Sequence, residues 1–422
     1  MSGSTAKIVR VPTKAWFGDE EIDLHFPSSW DVQECRMAGH DAEPLSDEGI
    51  RAALRNPIGA EPLREIARGR KRVAILFDDL TRPTPAWRII PFVLEELKAV
   101  GIEDDQIRFI AAFANHNTMV RHDHVKKIGE AIVEHYRVFN HNPFQNLEDL
   151  GKTSRGTPVL INREVMSCDL KIAVSGLIPH LTAGYGGGAK LILPGVAGIQ
   201  TVAYNHGHIA GRGPGRTPNP SVGLAKVHGN DVRADMEEVA RMVGLDFSIN
   251  IVMNNRRQPI NIFAGEVVDA HRAGYAFGQG VYTTPVPKDC DIVVTNAYPI
   301  ENEPGKALWG ANASVKQGGD VVCIVQSPEG HIPHYLVGRF GSDYGGELWF
   351  PSKGLRVPKA RRIIVFTEYP VKADDESFGP LDQVVVCKTW AEVLIQLMPA
   401  HPANARVAVY PYAAIQHGPT AA

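Results

Sequence analysis

Val73-Ala-Ile-Leu-Phe77-Asp78-Asp79-Leu80-Thr81-Arg82-Pro83-Thr84-Pro85 opens with an apolar run of strand length and turns at once to acids, an arginine and helix-starting prolines. Such a run predicts a buried strand, and the amphipathic segment from Pro85 to Val100 that follows it predicts a helix. The same step recurs where Ile107–Phe113 precedes Val120–Glu134. Strands alternating with helices of this length imply βαβ units, so the expected class is α/β with mostly parallel sheets.

Outward from this stretch, Leu170–Ser175 and Phe247–Met253 read as further strands, with a polar amphipathic helix from about Asp231 to Val243. Around Val281–Asp289 two prolines and a cluster of turn formers interrupt the pattern, which places a domain boundary there. A second α/β unit follows, with strands at Ile292–Thr295, Asp320–Val325, Arg362–Thr367 and Gln383–Cys387 and a closing strand at Ala405–Tyr410. The expected organisation is two α/β domains. Residues 1–283 form the cofactor-binding and catalytic domain, residues 284–422 close over the substrate, and residues 404–422 pack back on the first domain. The active site is expected in the interdomain cleft. Gly207–Pro220, rich in Gly, Pro and Arg, reads as a long ordered loop or lid.

A chain of 422 residues exceeds the size at which one core keeps growing, in keeping with two domains. Its net charge of -3 gives no basic footprint for nucleic acid, so small molecules are the expected partners. The start Met1-Ser-Gly-Ser-Thr5 lacks a basic-then-apolar leader, and no apolar run is long enough to span a bilayer; a cytoplasmic protein without membrane contact is expected. Cys35, Cys168, Cys290, Cys323 and Cys387 lie far apart with no C-x-x-C pair, and read as buried thiols.

Chemistry gathers at the predicted strand ends, the edge at which open α/β sheets bind ligands. Arg82 offers a planar fork for carboxylate or phosphate, and Asp79 an acid to orient Arg82, a histidine or a sugar hydroxyl; a capped helix start is the plainer reading of the same residues. The next strand ends in Asn115-His116, and the Leu170 strand delivers Pro179-His180, so both histidines reach the same edge as acid/base candidates. Then comes the glycine-dense run Ala183-Gly-Tyr-Gly186-Gly187-Gly188-Ala-Lys190. Its glycines allow close backbone approach and N–H donation to a phosphate, although the run is neither a P-loop nor a dinucleotide fingerprint. Lys190 is readable as a charge on phosphate or as an amine that bonds covalently to a carbonyl-type cofactor. His206 is a candidate ligand for nickel, copper, iron or zinc, and His208 reads as solvent-facing.

With these residues in order, the chain resembles the lactate racemase family that depends on the nickel-pincer nucleotide, a pyridinium bis-thiocarboxylic acid mononucleotide that carries nickel. The resemblance rests on Asp79-Leu-Thr81-Arg82-Pro, His116, Pro179-His180 through Lys190, Leu193-Pro-Gly195, Asn205-His206 and Asn296-Ala-Tyr298-Pro299. It implies a covalent cofactor tether at Lys190, nickel on His206, and a cofactor environment that includes Asp79, Thr81, Gly186, Gly187 and Gly188. It further implies His116 and His180 as the paired acid/base residues, and Arg82 on the substrate carboxylate or hydroxyl. The reaction would be racemisation or epimerisation of a hydroxy acid or sugar-type substrate by reversible hydride transfer. Cofactor maturation and delivery proteins would be partners, and a homo-oligomer is left open.

The departure lies after Tyr298-Pro299, where lactate-specific members carry a glutamine and a lysine and this chain carries Lys306 and Trp309. A substrate other than lactate is therefore expected, with Lys306 and Trp309 as its contacts and Glu301 and Glu303 as candidates for polyol hydroxyls. Two rival readings remain: a hydrolase or lyase with His116, His180 and His206 around one metal, and a nucleotide or sugar-phosphate binding protein.

Overall fold

The computed structural model describes residues 7–213, 215–337, 348, 354–372, 375–401 and 403–419. They divide into two compact units. One holds the described residues of 41–280 and 333–350; the other holds those of 1–40, 281–332 and 351–422.

The first unit is built on a six-stranded sheet in the order Pro259–Gly265, Phe247–Met253, Leu170–Gly176, Val73–Phe77, Ile107–Ala111 and Arg137–Asn140. Every neighbouring pair is parallel except the first. Val73–Phe77, Ile107–Ala111, Leu170–Gly176 and Phe247–Met253 are buried along their whole length, as strands covered on both faces must be. The expected helix over Asp231–Val243 is present. Asn230 caps it by accepting from the Arg233 N–H, and Gly244 ends it at φ 70°. The helix expected over Val120–Glu134 is instead two, Arg121–Ile128 and Glu130–His135, because Gly129 at φ 91° breaks it.

In this sheet the chain runs outward from Val73–Phe77 through Ile107–Ala111 and Arg137–Asn140, then returns to the opposite side with Leu170–Gly176 and Phe247–Met253. Strand order thus reverses beside Val73–Phe77. The carboxyl edge at such a reversal is an open crevice, because the connecting segments leave in opposite directions.

The second unit holds a fully parallel sheet in the order Val384–Cys387, Ala360–Phe366, Val315–Ile324, Cys290–Asn296, Arg406–Tyr410 and Asp31–Glu34. This corrects the division at 283/284. The described residues of 7–40 belong with the C-terminal segments, since Asp31–Glu34 pairs with Arg406–Tyr410 and Val9, Leu24 and Phe26 share an apolar core with Ile292, Val322 and Val407. The closing strand is likewise an interior strand of this sheet, and the described residues of 404–422, expected on the first domain, belong to this unit.

Candidate active site

At the reversal, Asp78 and Asp79 leave the Val73 strand as adjacent buried acids with separate tasks. Asp78 is a fastener. Its carboxylate accepts from Thr84 Oγ1 at 2.7 Å and from the Gly176 N–H at 3.0 Å, and lies 2.6 Å from the fully buried Lys127 ammonium. Lys127 also donates to the Arg82 carbonyl at 2.7 Å, so one ion pair ties two strand ends to the Thr81–Pro85 segment. Asp79 holds side chains at the strand end. One oxygen takes the Thr81 N–H at 3.1 Å and the Thr81 hydroxyl, and the other lies 2.7 Å from His116 Nδ1. Burial alone would raise the Asp79 carboxyl, but the charge and hydrogen bond of His116, with Arg82 and Thr81 beside it, bring it down to about 2. Asp79 thus takes up one of its expected roles, orienting a histidine.

His116 is 7% exposed and reaches Asp79 because Ala114, at φ 60°, bends the chain just past the Ile107 strand. That left-handed turn is held by the Ala114 N–H on the Gly195 carbonyl at 2.9 Å. With Nδ1 bound to the acid, Nε2 is the nitrogen turned away from it. Arg82 is partly exposed and folds Nη1 back onto the Thr81 carbonyl and hydroxyl, both at 2.8 Å. His180 ends a two-residue strand, Pro179–His180, and its Nδ1 accepts from the Thr182 and Ala183 N–H groups at 3.1 and 3.2 Å.

The glycine run is packed by protein. A Cβ on Gly187 would lie 2.6 Å from Asn250 Oδ1, and one on Gly184 would strike the Lys226 carbonyl. Arg233, 1% exposed, sends its guanidinium to the carbonyls of Ala183, Tyr185, Gly186 and Gly187, while His271 Nε2 donates to Gly186 O at 2.8 Å. Gly186 gives its own N–H to Ile178 O at 2.7 Å, so it does not offer that donor to a phosphate. Glycine here answers first to close contact with the chain itself. Gly195 does too, since a Cβ would strike the Leu191 carbonyl.

Lys190 lies buried in a short 3-10 turn, Gly188–Leu191. His206 sits in a π-helical turn, Tyr204–Ile209, a geometry that recurs at functional sites. The residue is only partly covered, yet its Nδ1 is enclosed and has no hydrogen-bond partner. Burial first, then the charges of Lys190, Arg212, His334 and Arg82, push His206 well below its ordinary pKa. It is therefore a neutral imidazole among cations. The neighbouring Asn205 is fixed by Asp235, which also takes the hydroxyls of Thr153 and Thr157. His208 is exposed, as expected, with its ring 4.6 Å from that of Tyr204.

Several contributors carried no signal in the sequence. His334 joins the site with its ring 5.1 Å from that of His116 and its Nδ1 2.8 Å from Asn115 Nδ2. Arg212 lies in the Gly207–Pro220 stretch, whose described residues are ordered by Asn219 Nδ2 on the Ile209 carbonyl and the Asp231 carboxylate; Pro214 lies outside the described residues. Arg233 and His271 serve the glycine run from helices whose pattern alone gives no reason for them. Among the described residues, His116, His180 and His206 do not form a set of three donors close enough to share one ion, which counts against the hydrolase reading.

Lys306 and Trp309 lie in the other unit. Lys306 pairs with Glu303, and the partly exposed Trp309 donates its indole N–H to Ala413 O at 2.6 Å with its ring edge-on to Tyr410 at 5.3 Å. Glu301 is not an exposed acid. It is 4% exposed and accepts from the Lys14 and Ala15 N–H groups at 2.9 and 2.7 Å, so its carboxylate serves the backbone rather than a polyol. All five cysteines are buried and none forms a disulfide, and no described helix is long and apolar enough to cross a membrane.

The lactate racemase N-terminal domain family matches residues 17–215. Lactate racemase of Lactiplantibacillus plantarum is 32% identical over 292 residues, 67% of each protein. That of Thermoanaerobacterium thermosaccharolyticum is 30% identical over 302 residues, 70% of this chain and 69% of that protein. In structure, the lactate racemase apoprotein of T. thermosaccharolyticum superposes with a TM-score of 0.73 at 22% identity, covering 97% of this chain and 99% of that one. A Thermotoga maritima protein gives 0.63 at 16%, covering 88% and 97%.

Proposed function

The chain belongs to the lactate racemase family and is an isomerase, and from that premise we propose that it racemises or epimerises a 2-hydroxy acid, or a related sugar acid or sugar, through a nickel-pincer nucleotide tethered to Lys190. The observation that carries this reading is His206: a neutral imidazole with an enclosed, unpartnered nitrogen among the charges of Lys190, Arg212, His334 and Arg82. A metal takes up such a lone pair, and an anionic nucleotide answers the charge of Lys190, Arg212 and Arg82. His206 would hold nickel, and the buried Lys190 amine would form the covalent link. When bound, the cofactor receives the α-hydrogen with its electron pair and returns it.

The protein's own residues do the remaining work. Arg82 presents a guanidinium for the carboxylate or hydroxyl of the substrate, while His116 and His180 share the acid and base work on the hydroxyl. Asp79 keeps His116 in one orientation, so no reorientation precedes proton transfer. The substrate is a hydroxy acid other than lactate, because position 309 carries an indole where the lactate-specific pattern has a lysine.

Co-expression with the cofactor's maturation proteins should add the cofactor mass to the Lys190 peptide. The loaded enzyme should interconvert epimers of at least one member of a panel of 2-hydroxy acids and sugar acids, with an α-deuterium label retained in the product. Loaded protein that interconverts none of them would sink the reading.

A further inference from the structure

We infer that Asp235, acting through Asn205, is a positioning residue for His206, and that the helix Asp231–Val243 clamps the π-helical turn at both of its ends. The inference rests on the function proposed above, which makes His206 the nickel ligand, and identifies what holds that ligand in place.

The backbone rings of the turn close five residues apart, with the Ala210 N–H on the Asn205 carbonyl at 3.3 Å and the Arg212 N–H on the Gly207 carbonyl at 2.8 Å. Such a turn carries about one residue more than an α-helical path, and losing it would rotate one end against the other by about 100°. An external hold prevents this. At the first end, Asn205 donates its side-chain amide to Asp235 Oδ2 at 2.7 Å and to the Val232 carbonyl at 3.3 Å. At the second, Asn219 donates to the Ile209 carbonyl at 3.0 Å through its side chain and to the Ala210 carbonyl at 3.2 Å through its backbone, and the same side chain donates to Asp231 at 3.0 Å. Asp231 and Asp235 are four residues apart and so share one face of the helix. Between the two ends Gly207 has no space for a side chain, since a Cβ would lie 2.6 Å from Arg216 Nη1 and 2.7 Å from Leu348 Cδ2.

Asp235 and Asn205 are both wholly buried, and the other donors to Asp235 are the Thr153 and Thr157 hydroxyls at 2.6 and 2.8 Å. The same helix holds the neighbouring segments. Asn230 at its start donates to the Thr182 carbonyl at 2.9 Å, and Arg233 reaches the carbonyls of the glycine run that leads to Lys190. Arg212, just past the π-helical turn, donates to the Leu181 carbonyl at 3.1 Å. A group tied to Lys190 and coordinated by His206 is held at two points, so the frame that carries both points must be rigid for the second to meet the metal.

Nickel retention in loaded enzyme tests this apart from turnover. Asp235→Leu should keep the Lys190 mass adduct, release nickel to a chelator about 10–100-fold faster than wild type, and lower kcat with little change in KM. Asp235→Asn keeps an acceptor for the Asn205 amide and should stay within about threefold of wild type in nickel release. Thr153→Val removes one hydroxyl from the same carboxylate and leaves Asn205 untouched, so it should lower stability in denaturant melts without changing nickel release. In the chain without cofactor, hydrogen exchange at the Ala210 and Arg212 amides should quicken in Asp235→Leu and not in Thr153→Val. Asn219→Ala, at the partly exposed second end, should quicken both exchange and nickel release, and carries the test if Asp235→Leu does not fold. Wild-type nickel release in the variants that cut either anchor, or equal quickening in Thr153→Val, would overturn the clamp. Wild type that gained no adduct on Lys190 would overturn the proposed function instead, and hydrogen exchange would still decide whether the helix holds the turn.

Discussion

At the carboxyl end of the Cys290–Asn296 strand, Asn296 donates to the carbonyls of Pro12 and Pro411 at 2.6 and 2.9 Å and accepts the Tyr298 N–H. Near the same edge Glu301 takes two backbone N–H groups, and Thr367 takes that of Tyr369. In the other unit, the corresponding edge of the Val73 sheet also carries polar residues, but they are half committed. Asp79 holds one nitrogen of His116, and His206 has an enclosed nitrogen with no partner. Both edges are polar and both sheets are mostly parallel. The difference lies in these residues: Asn296, Glu301 and Thr367 close their hydrogen bonds on the backbone, whereas Asp79 orients a histidine and His206 keeps an enclosed nitrogen without a partner, the kind of arrangement a reactive site requires.

The largest effect should come from breaking the oriented side. Asp79→Asn is expected to lower epimer exchange about 10³–10⁴-fold in loaded enzyme, because an amide can hold His116 in the wrong tautomer. It should also cost stability. The Asp79 carboxyl is held down to about 2 in the folded chain, so its contribution is present above the ordinary carboxylate range and is lost as pH falls toward 2. Denaturant melts at pH near 7 should show a difference of about 2 kcal/mol between wild type and variant, shrinking as the pH approaches 3. A variant with unimpaired turnover would remove the distinction between the two edges.

The closed edge should respond to pH in the opposite sense. Burial pushes Glu301 from its ordinary 4.5 up to about 8, against the pull of its N–H donors. A raised acid binds its proton in the folded chain and releases it in the unfolded one across that window, so stability falls as pH rises from about 5 to about 8, by at most about 1.4 kcal/mol per pH unit. Glu301→Gln should flatten that slope in denaturant melts. If wild type and variant lose stability in parallel, Glu301 is not the group responsible.

Sequence alone marked the edge that matters and undervalued the other. Phe247–Met253 and Asp231–Val243 follow the expected bounds because each carries a local signal, an uninterrupted apolar run in one and an amphipathic stripe with Asn230 and Gly244 at its ends in the other. The strand Asp31–Glu34 gave no such signal for its partner, since pairing with residues near 406 is a long-range choice that no local pattern encodes. At the candidate site, Arg82, His116, His180, Lys190 and His206 were singled out as candidates by residue type and position. Arg212, Asn230 and Arg233 were not, because their importance lies in which carbonyls they hold. The glycine run shows the same limit: its composition suggested ligand approach, whereas Gly184 and Gly187 are required first by the Lys226 carbonyl and Asn250.

The smallest effect should come from Trp309, the polar-tipped aromatic of the closed unit. Its indole N–H ends on the buried Ala413 carbonyl at 2.6 Å and its ring meets Tyr410 edge-on, so its orientation is fixed by its own core. Trp309→Phe removes that hydrogen bond and leaves an aromatic face in place, which should lower the stability of the protein by about 1 kcal/mol in denaturant melts. If the indole contributes to substrate choice by its face and bulk, kcat/KM for the preferred substrate should change by less than about threefold, or ~0.6 kcal/mol. A tenfold rise in KM with stability unchanged would mean that the N–H serves the substrate rather than Ala413. The second unit would then no longer be the closed member of the pair, because one of its polar atoms would be committed to chemistry as His116 is.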